Sequence, residues 1–146
     1  MYSITHRVGI KASAEAIYKA LTTNEGLMTW WTNDVTGAGD VGSIIQFRFN
    51  GGGPDFKVAE LVKNKLVRWQ HYGDMPQAWQ TTEIRFDIQS EKEQTFVHFS
   101  HANWQDSSDF MAHCSTKWAV FLLSLKDAME TGKGRAFPDD VHIDHS

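Results

Sequence analysis

Across residues 108–130 the apolar side chains Phe110, Met111, Cys114, Trp118, Phe121 and Leu122 recur three or four positions apart, and Leu125 and Met129 continue the series. At about 100° per residue they fall on one stripe about 120° wide, the signature of a long helix that must bury one side. Asp106 or Ser107 is placed to cap its start and Gly132 to end it. A stripe of that length needs a partner surface of similar extent, and the residues before it supply one.

Those residues read as short strands joined by turns. Residues 43–50, 56–62, 66–71, 80–89 and 95–102 are β-type runs. Gly51-Gly52-Gly53-Pro54, Asn64-Lys65 and residues 90–93 turn the chain between them, with a longer loop at 72–78. Short connections imply an antiparallel meander. Alternation then sets the faces: Ile84, Phe86 and Ile88 point one way, as do Val97, Phe99 and His101 on the next strand. On the remaining strands Val67, Trp69 and His71, and Ile45, Phe47 and Phe49, form the equivalent inward sets.

The N-terminal part differs. Residues 4–10 alternate loosely as a strand. Ser13 caps a helix whose stripe is Ala14, Ile17, Tyr18 and Leu21, with Glu15 in the first turn where the helix dipole favours an acid. Thr23 or Asn24 begins a shorter helix with Leu27, Trp30 and Trp31 at i, i+3 and i+4, and residues 32–35 add a very short strand. The sum is an α+β chain: one strand, two short helices, a meander and a long terminal helix. At 146 residues it is one domain, long enough to hide roughly 70% of its unfolded surface.

Composition narrows the functions. Net charge is −4, and the one basic grouping, Lys63, Lys65 and Arg68, surrounds a turn. That pattern disfavours a nucleic-acid partner, which needs a basic stripe to displace counterions. One cysteine, Cys114, permits no internal disulfide. No segment reaches the ~20 apolar residues of a membrane span, and no signal-like apolar run opens the chain. A cytoplasmic location and no membrane partner are the expectation.

Particular runs carry a family likeness. They are ASAEAIYKALT at 12–22, GLMTWW at 26–31, VGS at 41–43, LVRW at 66–69 and TFVHFSHANW at 95–104. With the order of elements they resemble the START-like, helix-grip superfamily, also labelled SRPBCC. Within it they resemble the group related to the C-terminal domain of the activator of the heat-shock-protein-90 ATPase. The likeness covers roughly residues 3–131. It implies a curved, antiparallel seven-strand sheet around the C-terminal helix, with a cavity between them. It places the domain at residues 1–132 and leaves 133–146 as a polar tail on the surface. The short second helix would close one mouth, with Trp30 or Trp31 in the lid and the other in the core.

Three functions follow from the resemblance. The first is binding of a small hydrophobic or amphipathic ligand by a monomer or homodimer. The second is interaction with a chaperone, and the third a cyclase or aromatase activity. None implies a cofactor. A sealed void costs on the order of 24 cal/mol per Å³, so a ligand-sized one of ~300 Å³ would cost about 7 kcal/mol. That rivals the whole stability of a domain. Water, ligand or side chains must therefore fill it. Trp69, Trp118, Phe47, Phe86, Phe99 and Phe121 are the side chains placed to do so, and they predict a small pocket.

The candidate ligand contacts are these aromatics, Trp30 and Trp31, and four polar or reactive groups. His71 and His101 sit on apolar strand faces, where they serve either a ligand's polar head or proton transfer near neutrality. Glu60 shares a face with Phe56, Val58 and Val62 if that strand is regular, whereas a bulge turns it outward. Lys117 flanks the long stripe and either reaches the cavity mouth or snorkels to solvent. Cys114 lies in the stripe; His113 projects ~100° away from it on a helix, so a buried small hydrophobe is the better reading than a nucleophile. No metal site is expected. His98 and His101 project to opposite faces of a strand, and His142, Asp144 and His145 lie in the tail.

Overall fold

A computed structural model describes residues 1–144. The chain runs β1 (Tyr2–Ile10), α1 (Ala14–Thr22), α2 (Asn24–Trp30), β2 (Asp34–Thr36), β3 (Ile44–Arg48), β4 (Asp55–Val62), β5 (Leu66–Tyr72), β6 (Glu83–Ser90), β7 (Thr95–Trp104) and α3 (Asp109–Thr131). The strands form one antiparallel sheet in the order β1-β7-β6-β5-β4-β3-β2. This is the α+β helix-grip architecture, with α3 packed against the sheet and α2 against α3.

Local chemistry sets the helix ends. Ser13 Oγ accepts from Ala16 N at 3.1 Å, and Thr23 Oγ1 accepts from Gly26 N at 3.0 Å. A Cβ on Gly26 would lie 2.6 Å from the Ala20 Cα, so the tight α1–α2 corner requires glycine there. The cap of α3 is Ser108, not Asp106 or Ser107, because its extended backbone puts Oγ 3.2 Å from Met111 N. Gly132 ends α3 in the left-handed conformation.

The alternation holds on the central strands. Ile84, Phe86 and Ile88 are buried, as are Val97, Phe99 and His101, and Val67 and Trp69. Phe86 faces Phe99 across β6–β7, and Val58 faces Trp69 across β4–β5. Strand β4 is bulged between Val58 and Glu60. The extra residue rotates Glu60 onto the outer face, where Oε1 accepts from Arg68 Nε at 3.2 Å. The buried-acid reading of Glu60 is thereby removed.

Both tryptophans of α2's C-terminal end are core residues, at 0% and 2% exposure, so neither forms a lid. Trp30 donates Nε1–H to the Ala20 carbonyl at 3.0 Å, which satisfies its one polar atom and lets the ring bury completely. Trp31 stacks on it at 5.9 Å, and contacts Phe47 at 4.2 Å and Trp118 at 4.9 Å between ring centroids. A 3-10 turn at Gln77–Trp79 interrupts the expected loop and buries Trp79.

After Gly132 the chain runs back along α3. Arg135 N donates to Ser124 Oγ at 2.7 Å. Phe137 N donates to Trp31 O at 2.9 Å, and Asn33 N to Phe137 O at 3.1 Å. A Cβ on Gly134 would stand 2.3 Å from Thr29 O and 3.0 Å from Ser124 O, so the segment approaches both helices as closely as only glycine permits.

Candidate functional site

The returning C-terminal segment helps enclose an apolar pocket of about 400 Å³. Helix α3 contributes Phe110, His113, Cys114, Lys117, Trp118 and Phe121. Trp31, Trp79, and Phe49 and Pro54 from the turn joining β3 and β4 supply further apolar surface. Phe137, Pro138, Asp140, His142 and Ile143 complete it from the C-terminal side. Phe137 meets Phe49 edge-on at 5.3 Å, which ties this segment to the sheet.

Charge is concentrated at one point. Lys117 Nζ is ion-paired with Asp140 and donates to Val141 O at 2.9 Å. It also stands 4.9 Å from the Phe121 ring centroid, a cation–π contact. The side chains of Lys117 and Asp140 are 20% and 8% exposed, so water screens the pair weakly. Lys117 therefore neither snorkels freely nor points into an open mouth; it clasps the C-terminal segment.

His101 is wholly buried and fully bonded. Trp118 Nε1–H donates to His101 Nδ1 at 3.0 Å. Indole nitrogen can only donate, so Nδ1 is bare and Nε2 carries the proton. Nε2–H donates to Thr82 Oγ1 at 2.9 Å, and that hydroxyl donates to Trp79 O at 2.7 Å. Burial, reinforced by His71, lowers the His101 pKa to about 3. The imidazole is neutral near pH 7 and ties β7, α3 and the 3-10 turn together. It is not placed to exchange protons with a ligand.

His71 is half-buried, bonds Met75 O through Nε2 at 3.0 Å, and meets Phe56 edge-on at 5.5 Å. Burial lowers its pKa, opposed by the Met75 carbonyl and Asp55. Neither histidine lines the pocket. With Glu60 on the outer face, the proposed acid–base groups do not converge. Burial pushes the Cys114 thiol up to about 11, with the Trp79 indole opposing the rise, so it is a thiol and not a thiolate at neutral pH. His142 bonds Asp144 at 3.0 Å; His145 lies outside the described residues.

Of the sequence candidates, Trp31, Cys114, Lys117, Trp118 and Phe121 line the pocket. Trp30, Phe47, Trp69, Phe86 and Phe99 fill the core behind it. The sequence reading missed Trp79 and the C-terminal lining. One signal was available: Phe137, Val141 and Ile143 are apolar residues inside a segment that is otherwise polar.

A seven-strand antiparallel sheet closed on a terminal helix, with two short helices after the first strand, defines a START-like helix-grip domain. The chain belongs to the family described as activator of Hsp90 ATPase homolog 1-like protein, whose model matches residues 11–130. It is similar to the Aha1 dimer from Colwellia psychrerythraea, known from a solution structure: identity is 66%, TM-score 0.86, over 92% of this chain and 100% of that one. A protein from Staphylococcus saprophyticus has the same fold at 16% identity and TM-score 0.75, over 91% of this chain and 95% of that one. A putative protein in the dynemicin biosynthetic locus does so at 18% identity and TM-score 0.75, over 90% of this chain and 48% of that one. No curated protein matches the chain. Among the described residues, no helix is long and apolar enough to cross a membrane.

Proposed function

We propose that the chain is a binding module for a small apolar or amphipathic molecule held between α3 and the C-terminal segment. One observation carries this reading: a pocket of about 400 Å³ with a largely apolar lining and one ion pair, Lys117–Asp140, among its lining residues. That volume lies in the range of small-molecule sites, and a few placed polar groups beside apolar surface is their usual chemistry. Titration with the fluorescent probe phenylnaphthylamine tests it. The wild-type chain should enhance the probe's emission, and Cys114→Phe, which adds a ring at the pocket surface, should weaken uptake about 10-fold. No enhancement by the wild-type chain would reject the reading.

Family membership supports a second reading, association with an Hsp90-type chaperone. The relative solved as a dimer supports self-association as well. An ATPase assay with the chaperone of the same source, and sedimentation velocity on the chain alone, measure the two separately. An unchanged ATPase rate with no co-sedimentation would remove the chaperone reading, and a single monomer peak the dimer.

A further inference from the structure

We infer that the pocket selects amphiphiles with a carboxylate head, and that Asp140 occupies the head's place until one arrives. The inference rests on the small-molecule reading above and names its ligand class.

The lining is apolar apart from Lys117, Asp140 and the two histidines His113 and His142, and Lys117 is its one fixed cation. Its ammonium is held over the ring of Phe121, a fellow lining residue, and is neutralised by the carboxylate of Asp140. Lys117 is thus a ready-made anion site whose present occupant belongs to the chain itself. A carboxylate on a ligand offers the same charge and the same two acceptor oxygens, so it can replace Asp140 one for one without leaving the cation uncompensated. An alcohol of equal length cannot; it would leave Asp140 in place and gain only apolar burial.

The segment bearing Asp140 is built to yield. Residues up to Phe137 are pinned by backbone bonds to Trp31 and Asn33 and by the close approach at Gly134. Beyond Phe137, Lys117 itself supplies two hydrogen bonds, to Asp140 and to Val141 O. The bond from Asp139 N to Ala136 O is internal to the segment and would travel with it. A guest carboxylate on Lys117 would therefore release the outer wall of the pocket while the anchor at Phe137 holds. By the same competition, the closed clasp reduces the apparent affinity for any acid by the fraction of time it is shut.

Displacement of phenylnaphthylamine by decanoate and by decanol tests the inference on the full chain. In the wild type, decanoate should bind about 10-fold tighter than decanol, the effect of one charge-assisted contact partly offset by losing the internal one. Asp140→Asn should raise decanoate affinity about 5-fold relative to decanol measured on the same variant. Lys117→Met should bring the acid-to-alcohol ratio to about one. Hydrogen exchange at the amides of residues 139–143 should quicken with decanoate and not with decanol. If decanol binds and decanoate gains nothing, or if Asp140→Asn leaves decanoate affinity relative to decanol unchanged, the carboxylate inference fails and the pocket reading stands. If the probe binds but neither compound displaces it, the carboxylate inference fails and the pocket reading stands; if the probe itself does not bind, both fail. The wild-type ratio needs no variant, so poor folding of Lys117→Met does not protect the proposal.

Discussion

The two ends of the interior are built from the same helix and sheet, yet one is solid and the other hollow. At the α1–α2 end, Ile17, Leu21, Leu27, Trp30, Phe86 and Leu125 are all at 0% exposure. The one polar atom of Trp30 is satisfied by a backbone carbonyl. At the opposite end, Trp79, Phe110, Phe121 and Phe137 surround open volume, and among the described residues the indole nitrogens of Trp79 and of the neighbouring Trp104 have no hydrogen-bond partner of good geometry. The first arrangement maximises area removed from water. The second leaves apolar surface and unsatisfied donors beside a pocket, which is where a fold tolerates local cost for function.

Truncation should separate the ends most sharply. Trp30→Ala is expected to lower unfolding free energy by about 4 kcal/mol in urea titrations. Phe137→Ala, half-buried at the open end, should cost about 1 kcal/mol. Equal losses would erase the distinction.

His101 joins the two regions, and its effect comes next. His101→Gln, with an amide oxygen for Trp118 and an amide N–H for Thr82, is expected to cost about 2 kcal/mol near neutrality. The pH dependence has a definite sign. The folded pKa of about 3 lies below the ordinary 6.5, so the unfolded chain takes up a proton first as pH falls. The neutral imidazole's contribution is complete above about pH 6.5 and declines as pH falls toward 3. Between about pH 6.5 and 5 the wild type should lose about 1.5 kcal/mol that the Gln variant does not lose. Parallel stability–pH curves for the two proteins would show that His101 is not held neutral.

Gly134→Ala acts at the base of the C-terminal segment, where it passes α2 and α3. The new Cβ meets backbone oxygens of Thr29 and Ser124, so the C-terminal segment must shift. We expect a loss of about 1 kcal/mol and faster amide exchange at Asn33 and Phe137. Slow exchange at both amides would mean the anchor does not depend on that approach. The smallest effect should come from Glu60→Gln, which weakens a half-exposed ion pair on the outer face. A change above about 1 kcal/mol would contradict the bulged geometry that puts Glu60 in water.

Much of this was legible in the residues. The stripe from Phe110 to Met129, the alternation through Ile84–Ile88 and Val97–His101, and the Ser13 and Thr23 caps each report a short-range periodicity or a hydrogen bond within four residues. Trp79 was not legible, because a single buried aromatic in a polar loop has no period. Nor was the fate of Glu60, since a one-residue bulge changes its face without changing composition. The pocket was half legible: Trp31, Cys114, Lys117, Trp118 and Phe121 sit on helices whose faces could be counted. Its C-terminal half could not be counted that way.

Sequence alone determined the layers, the strand count and the aromatic character of the interior. Those properties depend on where apolar residues recur along the chain, and recurrence is local. Tertiary structure alone decided that His101 is a neutral strut, that both tryptophans of Trp30-Trp31 are core, and that Asp140 returns to Lys117 across 23 residues. These outcomes depend on which groups meet after the chain folds back. Burial and hydrogen-bond partnership are properties of the assembled neighbourhood, and no single segment carries them.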